Sequence, residues 1–309
     1  MKRILILLLC GLLLASVPAA YAADHADTEA ILDSVISACL AEVGADSVQE
    51  WIDGDLSDGA GTRGEWYVIG LSQYKEDYNF SRYRKALEKY VAENEIRSAT
   101  SRQRVALTFL AVGGGEDYIA EVASNSVGEL GVMSYVFGLH MIHNGVDCPG
   151  HSAESVVNAI LELELAEGGW AVRGEVAEAD TTAMVIQAMA PYYETNEPVK
   201  AAVDRALAVL SARQLPNGCF ESYGTANPES AAQVMTALCA LGRNPLQEEL
   251  FIKNGNTLLD GMLSFRLPEG NFAHSDDGKP NNTATLQAFY NLVALWRFEQ
   301  GMNLTQRNS

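Results

Sequence analysis

Three similar stretches decide the fold: EGGW at 167–170, PNGCF at 216–220 and PEGNF at 268–272. Each stretch joins glycine to an aromatic residue, and nine or ten residues later comes a polar residue of the kind that begins helices, Asp180, Glu229 or Asn281. The aromatic residues of successive stretches lie 50 and then 52 positions apart. A period of about 50 residues indicates a repeating unit of two helices and two loops.

The segments around these stretches show two kinds of helical pattern. Helices that are apolar on all sides are buried, and such inner helices are predicted near 65–75, 99–112, 128–143, 183–190, 231–241 and 284–295. Amphipathic patterns predict outer helices near 28–44, 79–94, 116–124, 152–165, 197–213 and 253–266. The chain therefore alternates outer and inner helices.

Six such hairpins predict an all-α fold, an (α/α)6 toroid in which six inner helices form a barrel and six outer helices surround it. An open solenoid is the alternative arrangement. We favour the closed ring because neither end of the chain has a polar capping repeat. Trp296 and Phe298 in the last helix need a partner, and we expect the first hairpin to supply it.

Charge limits the partners that the protein can have. The 309 residues include 21 Lys and Arg against 40 Asp and Glu, which gives a net charge of −19. So strong a negative charge argues against nucleic acid and anionic membrane as partners, and we expect a monomer. We expect buried thiols without a disulfide framework at Cys39, Cys148, Cys219 and Cys239.

The first 22 residues are typical of a signal peptide. Two basic residues are followed by an apolar run over 4–17 and by the small-residue pattern of a cleavage site, Ala-Tyr-Ala, at 20–22. We therefore predict an exported protein, secreted, periplasmic or on the cell surface, with one domain at 23–309. No later stretch has the roughly 20 apolar residues that a membrane span needs.

The three turns, with the stretch FIKNGNTLLD at 251–260, resemble the prenyltransferase and squalene-oxidase repeat of the terpenoid cyclase and protein prenyltransferase superfamily. The resemblance covers about 145–298 and is closest to exported bacterial proteins related to the cobalamin carriers transcobalamin and intrinsic factor. It implies an α/α toroid, and it makes a corrinoid a possible ligand. We expect no other cofactor, and the fold by itself does not imply a function.

In class II cyclases of this superfamily, the middle Asp of an Asp-x-Asp-Asp motif protonates an alkene. The matching stretch here is EADT at 178–181, which keeps acids at Glu178 and Asp180 but has Thr181 in the third place. A protonated carboxylic acid needs supporting neighbours in a dry cavity, and one neighbour is missing. We favour the interpretation that Asp180 caps the inner helix, with a catalytic acid as the alternative.

Two places in the sequence contain residue types that can bind a metal. Protein prenyltransferases hold zinc with an Asp, a Cys two residues later and a His on a later inner helix. The corresponding residues are Asn217 and Cys219, and 281–295 contains no His, so we predict no zinc there. A second group has four potential metal ligands, with Asp147 between them: His140, His143, Cys148 and His151. We favour the interpretation that these side chains interact with a helix end and a capping loop, with a bound transition metal as the alternative.

The inner helices of a toroid begin at one mouth of the barrel, so the aromatic and polar residues near their starts should converge there. An aromatic-lined concavity is the default ligand site, although the same aromatics can instead fill the barrel. The candidates are Glu65, Trp66, Trp170, Glu178, Asp180, Phe220, Tyr223, Glu229, Phe272, His274, Asp276 and Asn281.

Two classes of function fit these residues. One is a non-catalytic module that binds a small molecule or a surface, and the other is an enzyme, either terpene cyclase-like or a carbohydrate-active α/α barrel with two carboxylates at the mouth. No complete set of catalytic residues is present. We therefore favour binding.

Overall fold

The computed structural model describes residues 27–75, 77–222 and 224–302. The predicted signal peptide at 1–22 and Tyr223 lie outside the described residues. The structure is 60% helical, with thirteen α-helices in the part described. They are α1 (Thr28–Val43), α2 (Val48–Trp51), α3 (Glu65–Leu71), α4 (Ser81–Glu93), α5 (Ala99–Val112), α6 (Glu116–Asn125), α7 (Gly131–His143), α8 (Ala153–Glu162), α9 (Ala179–Met189), α10 (Glu197–Arg213), α11 (Pro228–Ala240), α12 (Leu258–Leu263) and α13 (Asn282–Glu299).

The remaining regular elements are short. A π-helical turn at Ile52–Leu56 continues α2, and 3₁₀ turns occupy Ala190–Tyr192 and Glu249–Phe251. Two three-residue strands, β1 (Phe220–Ser222) and β2 (Thr225–Asn227), pair in antiparallel fashion just before α11. The prediction of an all-α fold is confirmed, with this small hairpin as an addition.

Six helices form a closed inner ring. Helices α3, α5, α7, α9, α11 and α13 each contact the next in this order, and α13 returns to contact α3. Helices α1, α4, α6, α8, α10 and α12 pack on the outside of this ring. An outer helix precedes each inner helix along the chain, so the inner helices run in one direction and begin at the same end. The toroid is confirmed, and the open solenoid is excluded.

The ring closes where the last helix meets the first hairpin. The Trp296 ring lies 5.0 Å from the Tyr74 ring, measured between centroids, and its Nε1 donates to Glu29 Oε2 over 3.3 Å. Thr28 Oγ1 also donates to Glu299 Oε1 over 2.9 Å. The first hairpin is therefore the partner of the last helix, as the sequence predicted.

The repeated glycine turns join an outer helix to the inner helix that follows it. In all three, a leucine N–H donates to the carbonyl four residues later, as in Leu215 to Cys219 over 2.8 Å. The turn also puts Gly218 at φ +88°, and a Cβ there would collide with the carbonyl oxygen of Thr257 just before α12. Only glycine allows both the backbone conformation and this close approach.

One predicted outer helix is shorter in the structure than in the prediction. Helix α12 covers only Leu258–Leu263 of the predicted 253–266, because Asn254 and Gly255 take positive φ values in a turn that precedes it.

The four cysteines of the described residues are free and buried. Across the described ranges, no helix combines the length and the apolar character that a membrane crossing requires.

Candidate functional site

The inner ring surrounds a cavity of about 760 Å³. All six inner helices contribute side chains to its wall, from residues near their first turns, such as Glu65 and Asp180, to residues near their last turns, such as Ala111 and His143. The cavity therefore extends along the barrel rather than forming a shallow depression at one mouth. Its volume falls within the range of about 300–1,000 Å³ that is usual for small-molecule sites.

One wall of this cavity is aromatic. Trp66 on α3 lies 5.1 Å from the ring of Tyr290 on α13 and 6.0 Å from the ring of Phe137 on α7, measured between centroids. We call Trp66, Phe137 and Tyr290 the cavity aromatics. Leu107 on α5, Met184 on α9 and Leu286 on α13 add apolar surface to the wall. Trp66 was predicted from the sequence, whereas Phe137 and Tyr290 were not.

The three aromatic residues of the repeated turns lie elsewhere. Trp170, Phe220 and Phe272, which we call the turn aromatics, are 0%, 1% and 0% exposed, and none of them lines the cavity. Trp170 Nε1 donates to the carbonyl of Ile160 on the outer helix α8 over 2.8 Å. We expected these rings at the mouth of the barrel, but they pack into the protein core because their turns join the two helical layers.

Asp180 is in the first turn of α9 but does not cap it. Glu178 occupies the N-cap position, and Glu178 Oε2 accepts from the Val172 N–H over 3.0 Å and from Thr181 Oγ1 over 2.7 Å. Asp180 is the second residue of the helix and lines the cavity. The prediction of an Asp180 cap is wrong because the true N-cap lies two positions earlier.

The surroundings of the Asp180 carboxyl raise its pKa above the ordinary value. Burial is the largest effect and raises its pKa, and the charge of Glu178 raises it further. Ser230 and His274 lower the pKa, although Ser230 Oγ does not reach the geometry of a regular hydrogen bond. Asp180 Oδ1 is buried and has no hydrogen-bond partner.

Glu229 and His274 form a pair close to Asp180. His274 Nδ1 lies 2.8 Å from Glu229 Oε1, and Glu229 is 6% exposed. Burial raises the pKa of Glu229, while His274 lowers it. Glu229 is the second residue of α11, as Asp180 is of α9, but it does not line the cavity. Asn281 caps α13 by accepting from the Ala284 N–H over 3.0 Å.

A buried ion pair lies at another part of the cavity wall. Glu65 is 2% exposed, and its Oε2 lies 3.4 Å from Arg104 Nε. Glu65 Oε1 has no hydrogen-bond partner. Burial is the largest effect on the pKa of Glu65 and raises it, while the charge of Arg104 lowers it. The sequence drew attention to Glu65 but not to Arg104, because an Arg in a helix is usually at the surface.

Three glutamine side chains connect neighbouring inner helices along the wall. Gln187 Nε2 donates to Gln233 Oε1 over 3.0 Å, and Gln233 Nε2 donates to Gln287 Oε1 over 3.2 Å. These residues belong to α9, α11 and α13 and all line the cavity. Sequence reasoning missed them, because a single polar residue in a small-residue helix gives no sign of such a connection.

The candidate metal ligands lie in two environments, with His140 and His143 in the cavity wall and Cys148 and His151 in a loop. His140 lines the cavity, and burial, followed by the charge of His143, lowers its pKa to about 4. His143 Nε2 lies 2.9 Å from the Tyr192 hydroxyl. Cys148 and His151 form an isolated backbone bridge in the loop after α7. In the described part of the chain, no three His, Cys, Asp or Glu side chains are grouped to hold a metal ion.

Comparison with known proteins identifies relatives of the fold only. No family model and no curated protein sequence matches the chain. Among solved structures, the chain is similar to ent-copalyl diphosphate synthase from Streptomyces platensis, with a TM-score of 0.52 and 17% identity over 75% of this chain. The match covers 49% of that synthase, so the chain spans about half of its length.

A protein from Actinoplanes is also similar, with a TM-score of 0.53 and 14% identity over 89% of this chain and 100% of that one. Identities this low establish a shared architecture and leave the ligand and any reaction open. Together with the closed ring of inner helices, these similarities show that the chain has a terpenoid cyclase-like α/α-toroid fold.

Proposed function

We propose that the protein binds a small, largely apolar molecule in the central cavity and does not convert it. The observation that carries the proposal is the cavity itself, which is enclosed by six helices and has an aromatic wall. Apolar walls with a few polar groups are the usual form of a small-molecule site. Glu65 and Asp180 line the cavity, and each has a buried oxygen without a hydrogen-bond partner, so the wall also carries polar groups at defined places.

A neutral fluorescent probe tests this proposal. N-phenyl-1-naphthylamine fluoresces strongly in apolar surroundings, and we expect the protein to bind one molecule of it per chain. Ala111→Trp places a large side chain in the cavity wall on α5, and it should weaken binding at least tenfold. The matched control Ala120→Trp lies on the exposed face of α6 and should leave binding unchanged. Equal affinity of both variants, or no binding by the parent, would contradict the proposal.

A corrinoid is the ligand that the resemblance to cobalamin carriers suggests, and cyanocobalamin is therefore the second probe. It is several times larger than N-phenyl-1-naphthylamine, and the cavity volume of about 760 Å³ suits a drug-sized molecule. We expect no binding of cyanocobalamin up to concentrations at which the smaller probe saturates. Tight binding would instead support the relation to cobalamin carriers.

The predicted export is part of the proposal. A carrier outside the cytoplasm meets ligands that the cell collects or releases, and residues 1–22 have the pattern of a signal peptide. Fractionation of cells that express the full chain should place it outside the cytoplasm. The N-terminus of the exported protein should be Ala23 by sequencing.

A second candidate function is protonation of an alkene by Asp180. One observation favours it, the Asp180 carboxyl in the cavity wall, whose pKa is raised by burial. The similarity of the fold to ent-copalyl diphosphate synthase is consistent with it. Thr181, however, stands where class II cyclases have a further acid. Incubation with geranylgeranyl diphosphate should give no cyclised product. A product that Asp180→Asn abolishes and the exposed Asp117→Asn retains would establish the cyclase instead.

The carbohydrate-active alternative requires two carboxylates that face one substrate. Asp180 lines the cavity, whereas Glu229 is paired with His274 and lies outside its wall. Glu65 shares the cavity with Asp180 but is paired with Arg104, so Asp180 is the one inner-helix carboxylate of the described wall without a basic partner, and we do not propose that activity.

A further inference from the structure

The charged groups of the cavity wall are unequal in number. Among the described residues that line it, five carboxylates stand against two guanidinium groups. The acidic side chains are Glu42, Asp55, Glu65, Asp77 and Asp180, and the basic ones are Arg63 and Arg104. Glu42 and Asp77 are exposed at the edge of the cavity, whereas Glu65 and Asp180 belong to the inner helices.

Both guanidinium groups are already paired with a carboxylate. Arg63 makes a two-point contact with Asp55, with nitrogen to oxygen distances of 2.8 and 3.1 Å. Arg104 faces Glu65 with its Nε. The two histidines of the wall add no positive charge at neutral pH, because burial lowers the pKa of both His140 and His143. An anionic ligand therefore finds no unpaired positive group in the described wall.

A positively charged group finds a different environment. Glu65 Oε1 is buried and has no hydrogen-bond partner, although Glu65 Oε2 faces Arg104. Asp180 Oδ1 is also buried without a partner. The cavity aromatics line the same space, and aromatic rings attract cations to their faces. Inside a protein these attractions are stronger than in water, because the surroundings screen charge less.

We propose that the ligand of the central cavity is an organic cation, a molecule with a substituted ammonium group and an apolar body. The ammonium group contacts the aromatic faces and lies in the field of the unpaired carboxylate oxygens. The apolar body fills the part of the cavity lined by Leu107, Met184 and Leu286. This inference rests on the proposed function, since it names the class of ligand that the same cavity binds.

Three probes of nearly equal size separate charge from shape. Phenyltrimethylammonium is the cation, tert-butylbenzene is its uncharged isostere, and benzenesulfonate is an anion. Binding is measured by calorimetry at neutral pH in about 0.15 M salt, where charges on the surface are largely screened. We expect the cation to bind at least about tenfold more tightly than tert-butylbenzene, and benzenesulfonate to bind more weakly than either.

Variants separate the cavity from the acidic surface. Asp180→Asn and Trp66→Leu should each reduce the preference for the cation over its isostere at least threefold. Glu65→Gln should act in the same direction, and if this buried variant does not fold, Asp180→Asn and Trp66→Leu still give the answer. The control Asp117→Asn removes an exposed carboxylate on α6 and should leave the preference unchanged.

The outcomes also distinguish this inference from the proposed function. Binding of N-phenyl-1-naphthylamine with no preference for the cation would overturn the inference and leave the proposed function in place. A preference that Asp117→Asn reduces as much as Asp180→Asn would assign the effect to the surface and overturn it as well. Failure of every probe, the naphthylamine included, would overturn both.

Discussion

The turn aromatics and the cavity aromatics are the same kind of side chain in two different regions. Trp170, Phe220 and Phe272 lie between the helical layers and are almost completely buried by protein atoms. The cavity aromatics Trp66, Phe137 and Tyr290 lie on the opposite side of the inner ring and face an open volume. Aromatic character alone therefore does not identify a ligand site. The neighbouring residues determine where the ring lies, because an aromatic residue that follows a glycine turn packs into the core.

The largest expected effect is the loss of a turn aromatic. Phe272→Ala leaves a cavity between layers that already fit closely, and it should lower the free energy of unfolding by about 3–5 kcal/mol. Urea unfolding followed by circular dichroism measures this. A loss below about 1 kcal/mol would show that the turn aromatics do not stabilise the core, and the contrast with the cavity aromatics would then fail.

Glycine in the same turns supplies the next effect. Gly218→Ala adds both a strained φ of +88° and a collision with backbone, whereas the control Gly224→Ala adds only strain, at φ +78° with open space around it. We expect Gly218→Ala to cost at least about 2 kcal/mol more than Gly224→Ala in the free energy of unfolding. Equal costs would mean that the close approach of the turn to the residues before α12 is not required.

The third prediction concerns a partly buried ring in the cavity wall, His140. Its pKa is lowered from 6.5 to about 4, so the unfolded chain takes up a proton at a higher pH than the folded one. Stability therefore falls as the pH falls through this window, and His140 should account for about 2 kcal/mol between pH 7 and pH 5. In His140→Phe, the decrease over this range should be smaller by that amount. Asp180 and Glu229 have raised pKa values and act in the opposite direction, but they are present in both proteins and cancel.

The smallest effect on stability is expected at a cavity aromatic. Trp66 is only half-buried, so Trp66→Leu should cost less than about 1.5 kcal/mol in the free energy of unfolding. The same change should weaken the binding of N-phenyl-1-naphthylamine about tenfold. Tyr118→Leu, a partly buried aromatic outside the cavity, is the control and should leave binding intact. Unchanged binding in Trp66→Leu would remove the cavity aromatics from the site.

The architecture could be predicted because its signals are local. Glycine followed by an aromatic residue marks each turn within a few positions, and apolar runs mark the inner helices, so the six hairpins follow from neighbours along the chain. The helices before residue 145 could also be predicted, although the repeated turns are absent there, because the alternation of amphipathic and apolar segments continues.

The cavity wall could be predicted only in part, because it depends on how each helix is rotated about its axis. Phe137 and Tyr290 belong to helices far apart in sequence, and only the closed ring brings them to Trp66. The prediction that Asp180 caps α9 was wrong by two residues. A shift of two residues along a helix changes the direction of a side chain by more than half a turn about the helix axis. Trp170 shows the opposite case, in which a prominent motif residue lies in the core.

The contact between α13 and α3 has a consequence for how this protein can change over evolutionary time. A solenoid lengthens by adding repeats at its ends without disturbing the others. A ring has no end at which to add one, because a seventh hairpin alters the angle between every neighbouring pair of inner helices. The cavity volume is therefore more readily changed by exchanges of individual wall residues, such as Ala111, Met184 and Leu286, than by a change in the number of hairpins.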